Sequence, residues 1–295
     1  MTQSTSVRLS VVIVNFFSLP DLRGCLQSIK RHNDIGDALE VVVVEQSDGA
    51  AEAPQICREF PWVKLIVRPN RGFGAGNNAG AQNASGEILL FLNPDTLLVQ
   101  PVFKQALWRF QSDANLGLFG LRLQTRDGTR AQSFYFLNPL GIFRGRIWRL
   151  LDRFDIFLSS SMYITGADLF VRRTAFETVG GFDERMFLYH EEADLCSRLR
   201  QHHFQIAYVP EFRLTHLEGT STKSDKVFKY RVDSYVLLAE KMGWNVRRQL
   251  KKWGRQLFVR SVLHPNDPTV NKEQMILRDR LRMYEEQSIK AREMS

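Results

Sequence analysis

Three runs constrain this chain more than any other feature: Leu9 to Asn15 (LSVVIVN), Leu39 to Val44 (LEVVVV) and Glu87 to Leu92 (EILLFL). Each is apolar almost throughout, without the alternation that would leave one face for water. Strands of this kind belong in a sheet covered on both sides, as parallel sheets are. The intervening segments agree. Pro20 to His32 places Leu22, Cys25, Leu26 and Ile29 at helical spacing, and a short helix is expected near Pro54 to Phe60. Val63 to Val67 reads as a third strand and Ala75 to Ala84 as a Gly/Asn/Ala-rich helix. The expected fold is α/β, with a mostly parallel central sheet, helices on both faces and ligands at the carboxyl ends of the strands.

Beyond Pro101 to Asp113, which reads as a helix, the pattern loosens. Leu118 to Gln124 and Ala131 to Phe136 read as strands, and Phe143 to Phe154 as a basic, Trp-bearing helix or loop. Ile164 to Val171 returns to the sheet, a helix runs to about His203, and Gln205 to Val209 forms a late strand. From Asp225 the chain reads as helical, broken at His264-Pro265 and Asp267-Pro268. The expected division is a domain over 1–224 and a basic helical extension over 225–295. A length of 295 residues, 44% of them hydrophobic, suffices for one large α/β domain with an appendage.

Composition excludes several classes. No run of apolar residues is long enough to span a bilayer, and the opening MTQSTSVRLS lacks the form of a secretory signal. Cys25, Cys57 and Cys196 are scattered, without CxxC spacing, and read as small apolar residues in a reducing cytoplasm. Lys241 to Ser295 carries 13 Lys/Arg against 6 Asp/Glu and so holds most of the net charge of +8.

Four segments carry chemistry. In FLNPDT, Asp95 stands just past the end of an apolar strand, either filling a turn or offering an oxygen to a divalent cation. In PNRGFGAGNNAG, Gly72, Gly74 and Gly76 permit close backbone approach, and the following helix N-terminus favours an anion. A dinucleotide fingerprint fits poorly, because the loop follows the third strand and Asn77 or Ala79 occupies the last glycine position. In FLYHEEADLCSRLR, the acids Glu191, Glu192 and Asp194 open a helix, where each gains about 0.3–1 kcal/mol from the helix N-terminus. They also follow Met186, Phe187, Leu188 and Tyr189, where desolvation would raise a carboxylate towards the range of a general base. Asp194 and Arg198 stand at ion-pair spacing. In LTHLEGTS, His216 follows a strand and reads alone as either a structural histidine or a ligand.

Taken in order, VVIVNF, VVVVEQSD, NRGFGAGNNAG, FLNPDT, TGADLFVRR, GFDERMFLYHEEADLCSRL and THLEGTS resemble the inverting glycosyltransferases of family 2, and within them the bacterial rhamnosyltransferase-like branch. The resemblance runs from about Leu9 to Ser221 and implies a GT-A fold. It makes Asn93 and Asp95 a variant of the DXD metal motif, with His216 completing a site for Mn²⁺ or Mg²⁺. It makes Glu192 the catalytic base, with Glu191, Asp194 and Asp168 as acceptor-site or positioning residues. Asn15, Glu45, Arg68, Asn70, Gly72 and Asn77 would line the donor cleft. Two departures stand out: relatives more often carry Asp at 192, and Asp-Asn where this chain has Glu45-Gln46.

The activity implied is metal-dependent transfer of L-rhamnose from dTDP-rhamnose to a polyprenyl-linked cell-surface glycan, by a cytoplasmic protein at the inner face of the membrane. A UDP-sugar-dependent galactofuranosyl- or hexosyltransferase is the alternative within the class. A nucleotidyltransferase or a non-enzymatic nucleotide-binding module would have no use for the paired acids. The basic stretch Trp244 to Leu263 is expected either to pack on the domain or to lie on anionic lipid through Trp244, Leu250, Trp253, Leu257, Phe258 and Val262. No nucleic-acid partner is expected.

Overall fold

The computed structural model describes residues 7–138, 144–217, 224–265 and 267–293. Phe143, at the head of the basic segment, and the end of THLEGTS from Glu218 lie outside the described residues. The first half alternates strand and helix: β1 (Leu9–Asn15), α1 (Leu19–Arg31), β2 (Leu39–Glu45), α2 (Ala53–Glu59), β3 (Lys64–Val67), α3 (Phe73–Gln82) and β4 (Ile88–Leu92). There follow β5 (Thr96–Leu98), α4 (Phe103–Ser112), β6 (Leu116–Gln124), β7 (Phe134–Phe136), α5 (Arg144–Arg153), β8 (Met162–Ile164) and β9 (Asp168–Arg172). The remainder is α6 (Arg173–Thr178), α7 (Glu191–Gln201), β10 (Gln205–His216), α8 (Asp225–Lys241), α9 (Val246–Leu263) and α10 (Pro268–Glu293).

Eight strands form one sheet in the order β3-β2-β1-β4-β9-β6-β10-β5, and β7 pairs with β8 in a small second sheet. Four pairings of the large sheet are parallel; β4 with β9, β9 with β6 and β10 with β5 are antiparallel. The run expected as one strand over Ile164 to Val171 is two. Its start, β8, leaves for the small sheet, and the chain turns through Thr165-Gly166-Ala167 before β9 enters the large one. Both halves are buried, so hydropathy alone cannot see the break. Ala131 to Phe136 likewise contributes only β7, to the small sheet. Strand β10 continues well past the expected Val209, through a register shift between Val209 and Arg213 that absorbs Pro210.

Alternate residues of the continuous strands feed two cores. Val11, Ile13, Val41, Val43 and Leu90 face α1 and α4, through Leu22, Leu26, Ile29, Phe103 and Phe110. Val12, Leu89 and Phe91 face the other way, against Ala81, Phe176, Leu195 and Leu199. Each fully buried Val, Leu or Phe contributes about 1.5–3 kcal/mol of transfer free energy. Helix α3 reaches this second layer because Gly80 has no side chain; a Cβ there would collide with Val12 Cγ1. A third cluster joins α8 to α9 and α10 through Val232, Val236, Leu250, Leu257 and Leu277. The apolar stripe expected on α9 is therefore divided. Trp244, Leu250, Trp253 and Leu257 pack inward, while Phe258, Val259, Val262 and Leu263 stay exposed.

Phe91 sits at the centre of the second core, fully buried, with its ring 4.9 Å from Phe176 and 5.0 Å from Phe182. Phe91→Ala is expected to lower the unfolding free energy by about 3–5 kcal/mol, read as a fall in the urea midpoint at unchanged slope.

Candidate functional site

The carboxyl ends of β1, β2, β3 and β4 open on one side of the sheet, and the candidate donor residues lie there. Asn15 ends β1 directly opposite Glu45, which ends β2. Asn15 Nδ2 donates to Glu45 Oε2 and, at 2.7 Å, to Glu52 Oε2. Glu45 Oε1 accepts from Ser47 N at 2.8 Å, so both Glu45 oxygens are bound to protein groups. Arg68 follows β3, its backbone N–H held by Glu45 O at 3.0 Å and its side chain exposed. Asn70 Oδ1 accepts from Gly72 N at 3.0 Å, closing the turn that leads into α3. Asn77 is buried and donates Nδ2 to Phe73 O at 3.1 Å, within the helix.

Gly72 has φ of 107°, and a Cβ on it would overlap Phe187 O, which instead accepts the backbone N–H of Phe73 at 2.9 Å. This contact fastens the glycine-rich loop to the segment that carries the acids.

Asp95 follows β4 and His216 ends β10. Their side chains meet at 3.4 Å between Asp95 Oδ1 and His216 Nε2. The unexpected strand β5 is what brings them together: His216 pairs with Thr96, and Leu217 N donates to Asp95 O at 2.8 Å. Beside them Asn93 Oδ1 is inaccessible and has no hydrogen-bond partner among the described residues. One carboxylate and one imidazole fit a divalent ion whose shell is completed by ligand oxygens. Among the described residues no third His, Cys, Asp or Glu joins them.

The acids open α7 after two consecutive left-handed residues, Tyr189 and His190, each with φ of 69°. Such a conformation costs a non-glycine residue about 1–2 kcal/mol. The turn points Glu191 into the protein and Glu192 towards Gly166, where a Cβ would lie 3.9 Å from Glu192 Cδ. Ala167, next in the chain, accepts from Asn93 N at 3.0 Å, which links the metal-type pair to the acid.

Glu191 and Glu192 each have one carboxyl oxygen without exposed surface or, among the described residues, a hydrogen-bond partner, although Glu192 as a whole retains some exposure. Burial pushes Glu192 up to about 7, against the opposing pull of backbone hydrogen bonds and of Arg231. Burial, and then the neighbouring Glu192 charge, lifts Glu191 well above the usual carboxylate range. The two titrate as a pair.

Asp194 has a different environment. It accepts from Arg198 Nε at 2.8 Å and lies 2.5 Å from Lys241 Nζ, which also binds Asp183 at 2.7 Å. The expected Arg198 partner is there, and Lys241 adds a tie to α8. Asp168 is wholly buried inside the sheet, where Oδ2 accepts from Leu121 N at 2.6 Å and fastens β9 to β6. Burial holds its carboxyl well above the ordinary range.

Sequence reasoning missed three charged residues. Glu52 shares Asn15 with Glu45. Lys241 braces Asp194, and Arg231 lies 5.8 Å from the centres of both the Tyr189 and Trp253 rings. All three stand on or beside helices whose charges read as an ordinary solvated face.

The sequence profile of the family described as Glycosyl transferase family 2 matches residues 10–180. An O-antigen biosynthesis protein, RfbC, of Myxococcus xanthus is 27% identical over 226 residues, covering 73% of this chain and 18% of that protein. The N-acetylglucosaminyl-diphospho-decaprenol L-rhamnosyltransferase of Mycobacterium tuberculosis is 38% identical over 86 residues, 28% of each chain. The matches thus span well under two thirds of either relative. Among solved structures, mannosyltransferase PcManGT from Pyrobaculum calidifontis, in complex with GDP-Man and Mn²⁺, superposes with a TM-score of 0.61. It is 15% identical, and the match covers 93% of this chain and 86% of that one, a likeness of GT-A fold.

The paired acids have a consequence for stability. Both bind protons more tightly in the folded chain than in the unfolded one, so their contribution is present below the ordinary carboxylate pKa and is lost as pH climbs through about 7. Glu192→Gln is expected to be more stable than the parent by about 1–3 kcal/mol at about pH 8, the gap closing towards about pH 4, by urea unfolding at each pH.

Proposed function

Because the chain belongs to glycosyl transferase family 2, we propose that it is a metal-dependent inverting glycosyltransferase with Glu192 as its base, moving L-rhamnose from dTDP-rhamnose onto a lipid-linked cell-surface glycan. The observation that carries the reading is Glu192 itself: a carboxyl held near neutrality by burial, next to Gly166 and tied through Phe187 to the glycine-rich loop. The donor and the lipid-borne acceptor are supported by the mycobacterial relative, whose name gives both an L-rhamnosyl group and a diphospho-decaprenol.

Ionised Glu192 takes the proton of an acceptor hydroxyl as that oxygen attacks the anomeric carbon from the face opposite the diphosphate. The new C–O bond forms as the bond to the diphosphate oxygen breaks, the proton remains on Glu192, and a single displacement inverts the anomeric centre. Asp95 and His216, with Asn93 beside them, would hold Mn²⁺ or Mg²⁺, which offsets charge on the departing diphosphate. The N-terminus of α3 favours the same negative charge. Asn15, Glu45 and Arg68 would bound the nucleoside end. Glu191, Asp194 and Asp168 position the base and the strands around it. Among the described residues no helix is long and apolar enough to cross a membrane, and association with the inner face of the cytoplasmic membrane is proposed as peripheral, with basic α9 as one contact.

Glu192→Gln is expected to keep donor binding and lower transfer by about 10²-fold or more. In the parent, kcat/KM should rise with pH through about 7, as the carboxyl loses its proton. Near-normal turnover in the variant, with an acceptor in place, would put the base elsewhere.

Asp95→Asn and His216→Ala should each abolish the response of nucleotide affinity to Mn²⁺, followed by calorimetry. In a panel of nucleotide-sugars scored for slow hydrolysis without acceptor, dTDP-rhamnose should lead; a UDP-hexose in first place would overturn the donor assignment.

A further inference from the structure

Helix α5 and the segment after it show water a row of large apolar side chains. Ile147, Leu150 and Phe154 are 48%, 58% and 62% exposed, and Ile156 and Leu158 continue the row. The spacing places Ile147 and Leu150 on one side of the helix, with Phe154 in the turn just past its end. Trp148 and Leu151 lie on another side and pack on the second core, and Arg149 and Arg153 are exposed. The helix sequence RGRIWRLLDR holds four arginines and one aspartate. A soluble surface has no use for such an apolar row, whereas a helix lying in a lipid interface needs one, flanked by cations that meet anionic headgroups.

The mounting is rigid. Trp148 Nε1 donates to Phe134 O at 2.8 Å. Asp155, just past the helix, is held by Arg122, by Arg130 at 2.6 Å and by Tyr208 Oη at 2.9 Å. Arg200 of α7 binds the carbonyl oxygens of Ser159 and Met162. From the helix inward, Trp148 stacks on Tyr135 at 6.0 Å and Tyr135 on Tyr163 at 5.8 Å. Tyr163 is within electrostatic reach of Glu192, and Gly166, which Glu192 faces, is three residues further on.

We propose that the face formed by Ile147, Leu150 and Phe154, with Arg149 and Arg153 beside it, docks on an anionic lipid bilayer and so presents the neighbouring Glu192 to acceptors anchored there. This deepens the reading of a lipid-linked acceptor and rests on it. It differs from contact through α9, whose apolar stripe is half spent on α8 and α10.

The test uses the full chain and sedimentation with mixed phosphatidylglycerol–phosphatidylcholine vesicles at low salt, with pure phosphatidylcholine as the uncharged control. Leu150→Glu with Phe154→Glu should weaken partition by about tenfold or more, since it places charge where apolar area would be buried. Leu150→Ser with Phe154→Ser, a milder pair for use should the first fail to fold, should weaken it in the same direction. Phe258→Glu with Val262→Glu on α9 should leave most of the partition in place. Hydrolysis of the nucleotide-sugar without acceptor should be unchanged in every variant, so a failure of the glycosyltransferase reading shows in that assay and not in partition. Parent-level vesicle binding by both α5 variants, or no binding by the parent, would overturn the proposal. So would a change from dimer to monomer at unchanged vesicle binding, which would make this face an interface between copies.

Discussion

One backbone hydrogen bond, from Phe73 N–H to Phe187 O at 2.9 Å, governs how the acids of α7 are presented. It joins the start of α3, which follows the glycine-rich loop, to the segment that delivers the acids to α7. It exists because Gly72 at φ of 107° lets the two backbones touch; any other residue would place a Cβ on the Phe187 carbonyl. Once Phe187 is fixed, Leu188 is held by Ser234 of α8, whose Oγ donates to its carbonyl at 3.0 Å. Only two residues then remain before the helix, and they reach it by taking the left-handed conformation. The strain at Tyr189 and His190 follows from two anchored ends being close together, and its outcome is a carboxylate aimed at Gly166.

Opposing effects act on that carboxylate. The N-terminus of α7 and the Arg231 guanidinium favour the charged form, and burial favours the neutral one. Burial wins, because among the described residues Glu192 has no direct cationic partner of the kind that Asp194, two positions on, has in Arg198 and Lys241. The same turn of helix thus holds acids in two different conditions, one braced by ion pairs and one left poised to take a proton. A fold selected for stability alone would pair or remove the second, since an unpartnered buried carboxyl opposes folding at neutral pH.

How much of this the sequence disclosed follows from the range of each interaction. Strands β1, β2 and β4 were legible because burial on both faces leaves a continuous apolar run, and α1 because Leu22, Leu26 and Ile29 repeat at helical spacing. Strand β5 was not legible. Its three residues are strand only because His216 and its neighbours, far along the chain, pair with them. Without that pairing the approach of His216 to Asp95 cannot be inferred from residue spacing, and it entered the sequence reading only through family resemblance. The acids of α7 were legible as a cluster, while the cations that separate their roles were not. Arg231 and Lys241 lie on α8, whose sequence reads as part of a separate basic extension.

Helix α8 is therefore more than a link to the last two helices. Leu238 enters the second core, Lys241 reaches Asp194 and Asp183, and Arg231 stands over Tyr189. On the opposite side, β8 and the turn after it supply Tyr163 and Gly166. Glu192 stands between these two walls, each braced by buried contacts, so its position relative to the sheet is set by packing and not by a loop. Such rigidity suits a general base, which must meet its proton within hydrogen-bond reach. With Glu192 as the proposed base, the acceptor would have to be brought to it, since α7 is packed on both sides.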